Sequence, residues 1–225
     1  MSKKHALTLP TLAVAVTVTT LAPMASAEVS GSLDIANQYL WRGQTLLTAG
    51  TVSGSLDYKH ESGAYTGIWA SSETDKNEYD LYAGFTGDIS ALSYDVGAVS
   101  YHYTGERGTG FGPDDLNFQE LYLDLGLGDF SIGGFFGVGE FGDGATATDN
   151  RDIYYYASYS KDQFGATVGH YAYDVSDEAY THLDLSYEVI ENLTFTASKI
   201  LDLDSKNTTV TNSELKVVVT YSFPF

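Results

Sequence analysis

From Val217 to Phe225 the chain alternates residue by residue. Val217, Val219, Tyr221, Phe223 and Phe225 share one parity; Val218, Thr220, Ser222 and Pro224 share the other. Successive side chains of a strand point to opposite faces, so this segment has an oily face, aromatic at its end, and a face that can meet water. The same sorting recurs upstream. Val29, Leu33, Ile35, Tyr39 and Trp41 share a parity, as do Val52, Leu56 and Tyr58, then Tyr65 and Trp69, then Tyr79, Leu81, Ala83 and Phe85. Leu121, Leu123, Leu125 and Leu127 repeat it, followed by Phe130, Ile132, Phe136 and Val138, and by Ile153, Tyr155, Ala157 and Tyr159. Leu92 to Tyr103 sorts less cleanly. With Phe164–Tyr173, Thr181–Tyr187, Leu193–Ile200 and the terminal strand, the reading gives twelve strands.

The connections alternate in length. Short ones surround Glu61–Gly63, Gly87–Asp88, Gly128–Asp129, Lys161–Gln163 and Ile190–Asn192. Long ones surround Gly43–Gly50, Ser71–Asn77, Thr104–Asn117, Glu140–Arg151, Asp174–Ala179 and Leu201–Asn212. A β-sandwich in water has no reason to sort its loops this way. A membrane barrel with both ends on one side does, and it needs an even strand number. In hydrocarbon each unpaired backbone group costs several kcal/mol, so such a sheet must close on itself. The fold class expected is all-β: one antiparallel transmembrane β-barrel of twelve strands over residues 28–225.

Residues 1–27 read as a signal peptide. Lys3, Lys4 and His5 give a basic start, Leu7 to Leu21 is mostly apolar, and Ala25-Ser26-Ala27 is a small-residue cleavage site, with cleavage after Ala27. Pro10 and the threonines leave the run short of the ~20 apolar residues of a spanning helix. Mean hydropathy is -0.13, as barrel strands oily on one face only would give. No cysteine is present, so no disulfide contributes. The formal net charge of -19 argues against nucleic acid as a partner and suits acidic loops or a lumen that favours cations.

The terminal strand resembles the carboxy-terminal recognition signal of Gram-negative outer-membrane barrels, with an aromatic last residue and aromatics two and four positions earlier. That resemblance implies engagement by the barrel-assembly machinery and a home among outer-membrane lipid and lipopolysaccharide. Asn37-Gln38-Tyr39-Leu40-Trp41-Arg42-Gly43 is similar to the aromatic-x-x-Arg-Gly element near the start of the TorF porin family. Leu56 to Ser71, Glu78 to Phe85 and Tyr94 to Gly97 extend the resemblance. It implies a small outer-membrane barrel that passes solutes, and brings no shared substrate.

Candidate lumen-facing residues follow from parity. Asp34, Asp57, Asp80, Glu120, Asp124 and Asp184 lie opposite the oily stripe, as do Glu78, Asp152 and Glu188. A charge facing the bilayer midplane costs about 2.5–3.5 kcal/mol on insertion scales, which turns these side chains inward. Arg42 has two readings: a pore-mouth cation ion-paired with lumenal carboxylates, or a side chain beside an interfacial Trp41 that snorkels to lipid phosphates or pairs locally. Trp41, Trp69, Tyr221, Phe223 and Phe225 are expected at the membrane interface. The acidic stretches Asp114-Asp115, Asp174–Glu178 and Asp202-x-Asp204 lack an EF-hand spacing and read as solvated loops. No Gly-x-Ser-x-Gly occurs, so no catalytic, metal or cofactor residue is assigned. The function expected is a passive channel for small hydrophilic solutes or ions that prefers cations. Second comes a non-conducting barrel with ligand-binding loops, and last a lipid-acting enzyme.

Overall fold

A computed structural model describes residues 28–72, 76–105, 117–141, 148–174, 178–203 and 213–225. The expected signal peptide over residues 1–27, Asp114-Asp115, the middle of Asp174–Glu178 and Asp204 lie outside the described residues. The strands are β1 (Glu28–Ala36), β2 (Tyr39–Trp41), β3 (Gln44–Leu47), β4 (Thr51–Lys59), β5 (Ala64–Ser72), β6 (Lys76–Ile89), β7 (Leu92–Gly105) and β8 (Phe118–Leu127). They continue as β9 (Phe130–Val138), β10 (Glu140–Phe141), β11 (Thr148–Asp149), β12 (Ile153–Lys161), β13 (Phe164–Ala172), β14 (Ala179–Ile190), β15 (Leu193–Leu203) and β16 (Lys216–Pro224). Twelve of them close a barrel in the order β1-β16-β15-β14-β13-β12-β9-β8-β7-β6-β5-β4, each antiparallel to its neighbours. The pairs β2–β3 and β10–β11 are separate ribbons that are not part of the wall.

Closure joins the two ends of the chain. Ser32 to Ala36 pair with Pro224 back to Thr220. Gly31 and Phe225 then exchange backbone hydrogen bonds at 2.9 Å each. At the other end of the seam the chain leaves the wall, and side chains continue the ladder. Asn37 Oδ1 accepts from the Val219 amide at 2.8 Å, while Asn37 Nδ2 and Gln38 Nε2 donate to the Val217 carbonyl.

The short connections sit at one end of the barrel. Turns at Gly128–Asp129, Asp162–Gln163 and Glu191–Asn192 fall where expected, with left-handed φ at Gly128, Asp162 and Asn192. The β6–β7 turn differs. It lies at Ser90–Ala91, not Gly87–Asp88, and Asp88 still pairs with Ser93. Ser90 takes the left-handed turn (φ 61), and Gly87 instead makes room for the Tyr94 ring lying across it.

Alternation divides the wall. Leu121, Leu123 and Leu127 are exposed on the outside, whereas Glu120, Tyr122 and Asp124 are buried inside. Around the short-turn end, outward rings pair up: Phe130 with Tyr159, Phe164 with Tyr187, and Tyr221 with Phe223. Tyr79 with His102 and Tyr155 with His170 do so toward the long connections. Two aromatic girdles bounding an oily band match the profile of a bilayer.

Inside, glycine and tyrosine work as cross-strand partners. The rings of Tyr82, Tyr65, Tyr122 and Tyr156 lie where side chains at Gly67, Gly84, Gly97 and Gly133 would stand. A large ring over a missing side chain fills the lumen without splaying the strands, and this accounts for much of the glycine and tyrosine content.

Leu123→Arg, near the middle of β8 on the oily face, is expected to destabilise the barrel by about 2–4 kcal/mol in lipid. Urea unfolding from phospholipid vesicles measures it; a neutral result would mean that this face does not meet lipid.

Candidate functional site

The connection from Asn37 to Gly50 does not stand away from the barrel. It folds into it as the β2–β3 hairpin. Trp41 pairs with Gln44 across a two-residue turn, with Arg42 at φ 46 and Gly43 at φ 80. Positive φ at both central residues is the type I′ pattern, whose twist suits a tight hairpin. Left-handed backbone disfavours an arginine by about 1–2 kcal/mol, so its surroundings must hold it there. Gly43 is required twice over: a Cβ there would also stand 2.5 Å from the Cβ and Cγ of His182.

Those surroundings are specific. The Arg42 guanidinium, 2% exposed, donates two hydrogen bonds to Glu120, Nη1 to Oε1 at 2.7 Å and Nη2 to Oε2 at 2.6 Å. Tyr101 Oη donates to the same carboxylate at 2.8 Å. Rings of Trp41, Phe135, Tyr154 and Tyr171 surround the cation at 4.3, 4.6, 4.7 and 5.5 Å. A planar guanidinium suits both contacts, forked toward the carboxylate and flat against rings.

The backbone of the tip is held as well. Tyr180 Oη donates to the Arg42 carbonyl at 2.9 Å, and Lys216 Nζ to the Gly43 carbonyl at 3.0 Å. Gln44 Nε2 donates to Tyr173 Oη and Tyr180 Oη. Burial pushes the Tyr173 hydroxyl up to about 12, so it stays neutral and accepts that amide. Tyr39 Oη donates to Glu78 at 3.0 Å, and the Tyr39 ring packs on Trp69. The hairpin thus touches β5, β6, β8, β9, β12, β13, β14 and β16. It crosses the half of the lumen nearer the long connections.

The structure corrects several assignments from parity. Trp69 is 1% exposed and faces the lumen, with Ile68 on the oily side. Tyr65 shares its inward face. Trp41 is inside too, against Tyr171, and Arg42 meets Glu120 instead of lipid phosphate. The physical reason is that the wall ends at Ala36, so Tyr39 and Trp41 do not continue the parity of β1. Tyr221, Phe223 and Phe225 do stand outward.

Asp34, Asp80, Glu120, Asp124 and Asp184 are buried on the inner face, and Asp57 is half-buried there. Glu78 and Asp152 are buried on the same side. Burial raises the Asp152 carboxyl above its ordinary value, opposed by hydrogen bonds from the Asp174 amide and Tyr171. His182, fully buried, lies between Asp184 (3.1 Å) and Tyr154 Oη (3.0 Å) under the hairpin tip.

Sequence reasoning missed Asp95, which is buried inside directly across from Asp124. Its signal was present: Tyr94 and Val96 flank it on the outward parity.

With this geometry in view, comparisons place the chain. Residues 21–151 match the model of a family described as a bacterial protein of unknown function, Gcw_chp. The chain belongs to that family. The hairpin with Arg42 and Glu120, and the facing Asp95 and Asp124, all fall within the matched span. No curated protein matches the chain. Among solved structures, KdgM porin superposes with a TM-score of 0.53 at 10% identity, covering 87% of this chain and 98% of that one. KdgM porin in complex with disordered oligogalacturonate gives a TM-score of 0.50 at 8% identity, covering 89% and 98%. Outer membrane phospholipase A from Escherichia coli reaches a TM-score of 0.46 at 11% identity, covering 86% and 88%, too distant to bear on activity. What KdgM shares with this chain is the fold.

Because the chain has two tryptophans, both in the lumen, fluorescence reports the hairpin directly. Brominated acyl chains are expected to quench them little. Glu120→Gln is expected to open both to aqueous acrylamide and to destabilise the barrel by up to about 3–5 kcal/mol, the range for breaking a buried ion pair. Strong quenching by brominated lipid in wild type would return the tryptophans to the interface.

Proposed function

We propose that the chain is a porin-like channel of the bacterial outer membrane. It passes small hydrophilic solutes or ions by passive diffusion, favours cations, and is narrowed by its own β2–β3 hairpin. The observation that carries this reading is the sorted wall: oily between aromatic girdles outside, tyrosine and carboxylate inside. The likeness of fold to KdgM porin and the resemblance of Tyr39–Gly43 to the TorF porins support it. In this reading the leader is removed after Ala27, the assembly machinery engages the terminal strand, and the short turns face the periplasm. The long connections then meet lipopolysaccharide and the outside.

Selectivity follows from charge. Two inward cations are already engaged, Arg42 by Glu120 and Lys216 by the Gly43 carbonyl. The KdgM complex holds oligogalacturonate; this lumen, rich in carboxylates, suits cations better than a chain of acidic sugars.

The hairpin also favours a second reading, a barrel that does not conduct and uses its loops for binding. Another observation favours a lipid-acting enzyme. On the outer face, Ser100 Oγ and His102 Nε2 are 2.9 Å apart, within reach of a nucleophile and its base. Fatty-acid release from phospholipid vesicles, lost in Ser100→Ala, would support it.

In planar bilayers, wild type is expected to give small conductance steps with a cation-signed reversal potential under a salt gradient. Glu120→Gln and Arg42→Ala, which free the hairpin, are expected to give larger or noisier steps. Folded protein without steps would rule out the channel, and anion preference would rule out the acidic selectivity.

A further inference from the structure

Below the hairpin, toward the short-turn mouth, the lumen changes character. Asp57 on β4, Asp95 on β7 and Asp124 on β8 face inward there, each close to tyrosine hydroxyls. Tyr82 Oη donates to Asp57, and Tyr65 Oη donates to Asp95 at 2.5 Å and also contacts Tyr122 Oη. Asp95 and Asp124 stand directly opposite across the β7–β8 ladder. Like charges in that arrangement repel, so the pair weakens the sheet unless something positive lies between or before it. Lys59, exposed at the rim, is a cation that acts on Asp95.

A second observation is independent of the acidity. Asp124 is 0% exposed, yet neither carboxylate oxygen has a hydrogen-bond partner. The Tyr156 hydroxyl, on a residue 4% exposed, has none either. Both groups stand over Gly133, in the place its side chain would take. Two buried polar groups left unmatched side by side, in a barrel whose other inner tyrosines find partners, mark a place for a donor. Exposure is graded on the way in, from half-buried Asp57 through Asp95 at 8% to Asp124 at 0%.

The donor's chemistry can be narrowed. Carboxylates accept from N–H, and the flanking Tyr65, Tyr82 and Tyr122 rings offer faces to a cation. Among the described residues no three Asp, Glu, His or Cys side chains converge to hold a metal ion. We infer that this tyrosine–carboxylate wall is a binding site for organic ammonium compounds, with Asp95 and Asp124 gripping one ammonium and Asp57 guiding it from the mouth. The inference deepens the channel reading by naming a solute class, and rests on it only for passage, not for binding.

The test separates the two. Full-length mature protein, folded in detergent, is titrated calorimetrically with 1,4-diaminobutane, and with acetate as an anionic control. Saturable binding to wild type that weakens as sodium chloride rises is expected. Asp95→Asn and Asp124→Asn should each weaken it by about tenfold or more, the scale of one charge-assisted hydrogen bond. Asp149→Asn, an exposed carboxylate on the β10–β11 ribbon away from this wall, should leave it within about twofold. In bilayers the diamine should block or slow cation current in wild type and not in Asp124→Asn. Absence of diamine binding to wild type, or wild-type affinity retained in both Asn variants, overturns the site even if the barrel conducts. Binding without any conductance keeps the site and removes the channel. Because the wild-type titration needs no variant, poor folding of an Asn variant cannot shield the inference.

Discussion

A backbone amide in hydrocarbon has no water to turn to, and that constraint organises this molecule. It demands closure, and closure here runs through a short seam. Five register pairs join β1 to β16, and the Gly31–Phe225 exchange completes one end. At the other end β1 stops at Ala36 before β16 is fully paired. Asn37 and Gln38 supply side-chain amides to Val217 and Val219, so the wall stays satisfied while the main chain departs. That departure is what delivers the β2–β3 hairpin to the lumen. The same requirement that closes the barrel therefore creates its internal obstruction.

Once inside, the hairpin must bring its charge with it. A buried ion pair is often no more stabilising than apolar residues of the same size, because both charges lose water. The Arg42–Glu120 pair is better understood as an index. Its forked geometry accepts one orientation of the guanidinium, the four rings around it accept one plane, and Tyr180 and Lys216 fix the carbonyls on either side of the turn. Together they hold a left-handed arginine that an isolated hairpin would not favour.

The alternation of β8 and β9 was legible because their oily faces are aliphatic or phenylalanine, and those residues have one preference. Loop alternation was legible for the same reason that it exists: the strands run up and down. Trp69 and Tyr65 were not legible by parity. Tyrosine and tryptophan suit an interface and a polar-aromatic lumen alike, since each has a ring and a polar atom. The information lay across strands. Ile68 pairs with Leu56 on one side and Leu81 on the other, both outward, so Trp69 must face in. Tyr39 and Trp41 failed differently: period two says which face a residue takes only while the strand continues. The element Tyr39–Gly43 carried the family resemblance without showing where it goes. Its Arg-Gly pair between Trp41 and Gln44 is a two-residue turn that only a positive-φ hairpin can use.

The lumen that results has two storeys with different electrostatics. Near the long connections, Arg42 and Glu120 cancel within an aromatic shell. Near the short turns, tyrosine hydroxyls donate to Asp57 and Asp95 without carrying charge, and Asp124 stands unpartnered beside them. Tyrosine is the residue that makes this arrangement tolerable: it bonds a carboxylate without neutralising it, and its ring fills space beside a glycine. A wall of carboxylates held by lysine or arginine would be a set of closed ion pairs. Held by tyrosine, the negative charge stays available to whatever enters from the short-turn mouth, and the hairpin above sets how far it can go.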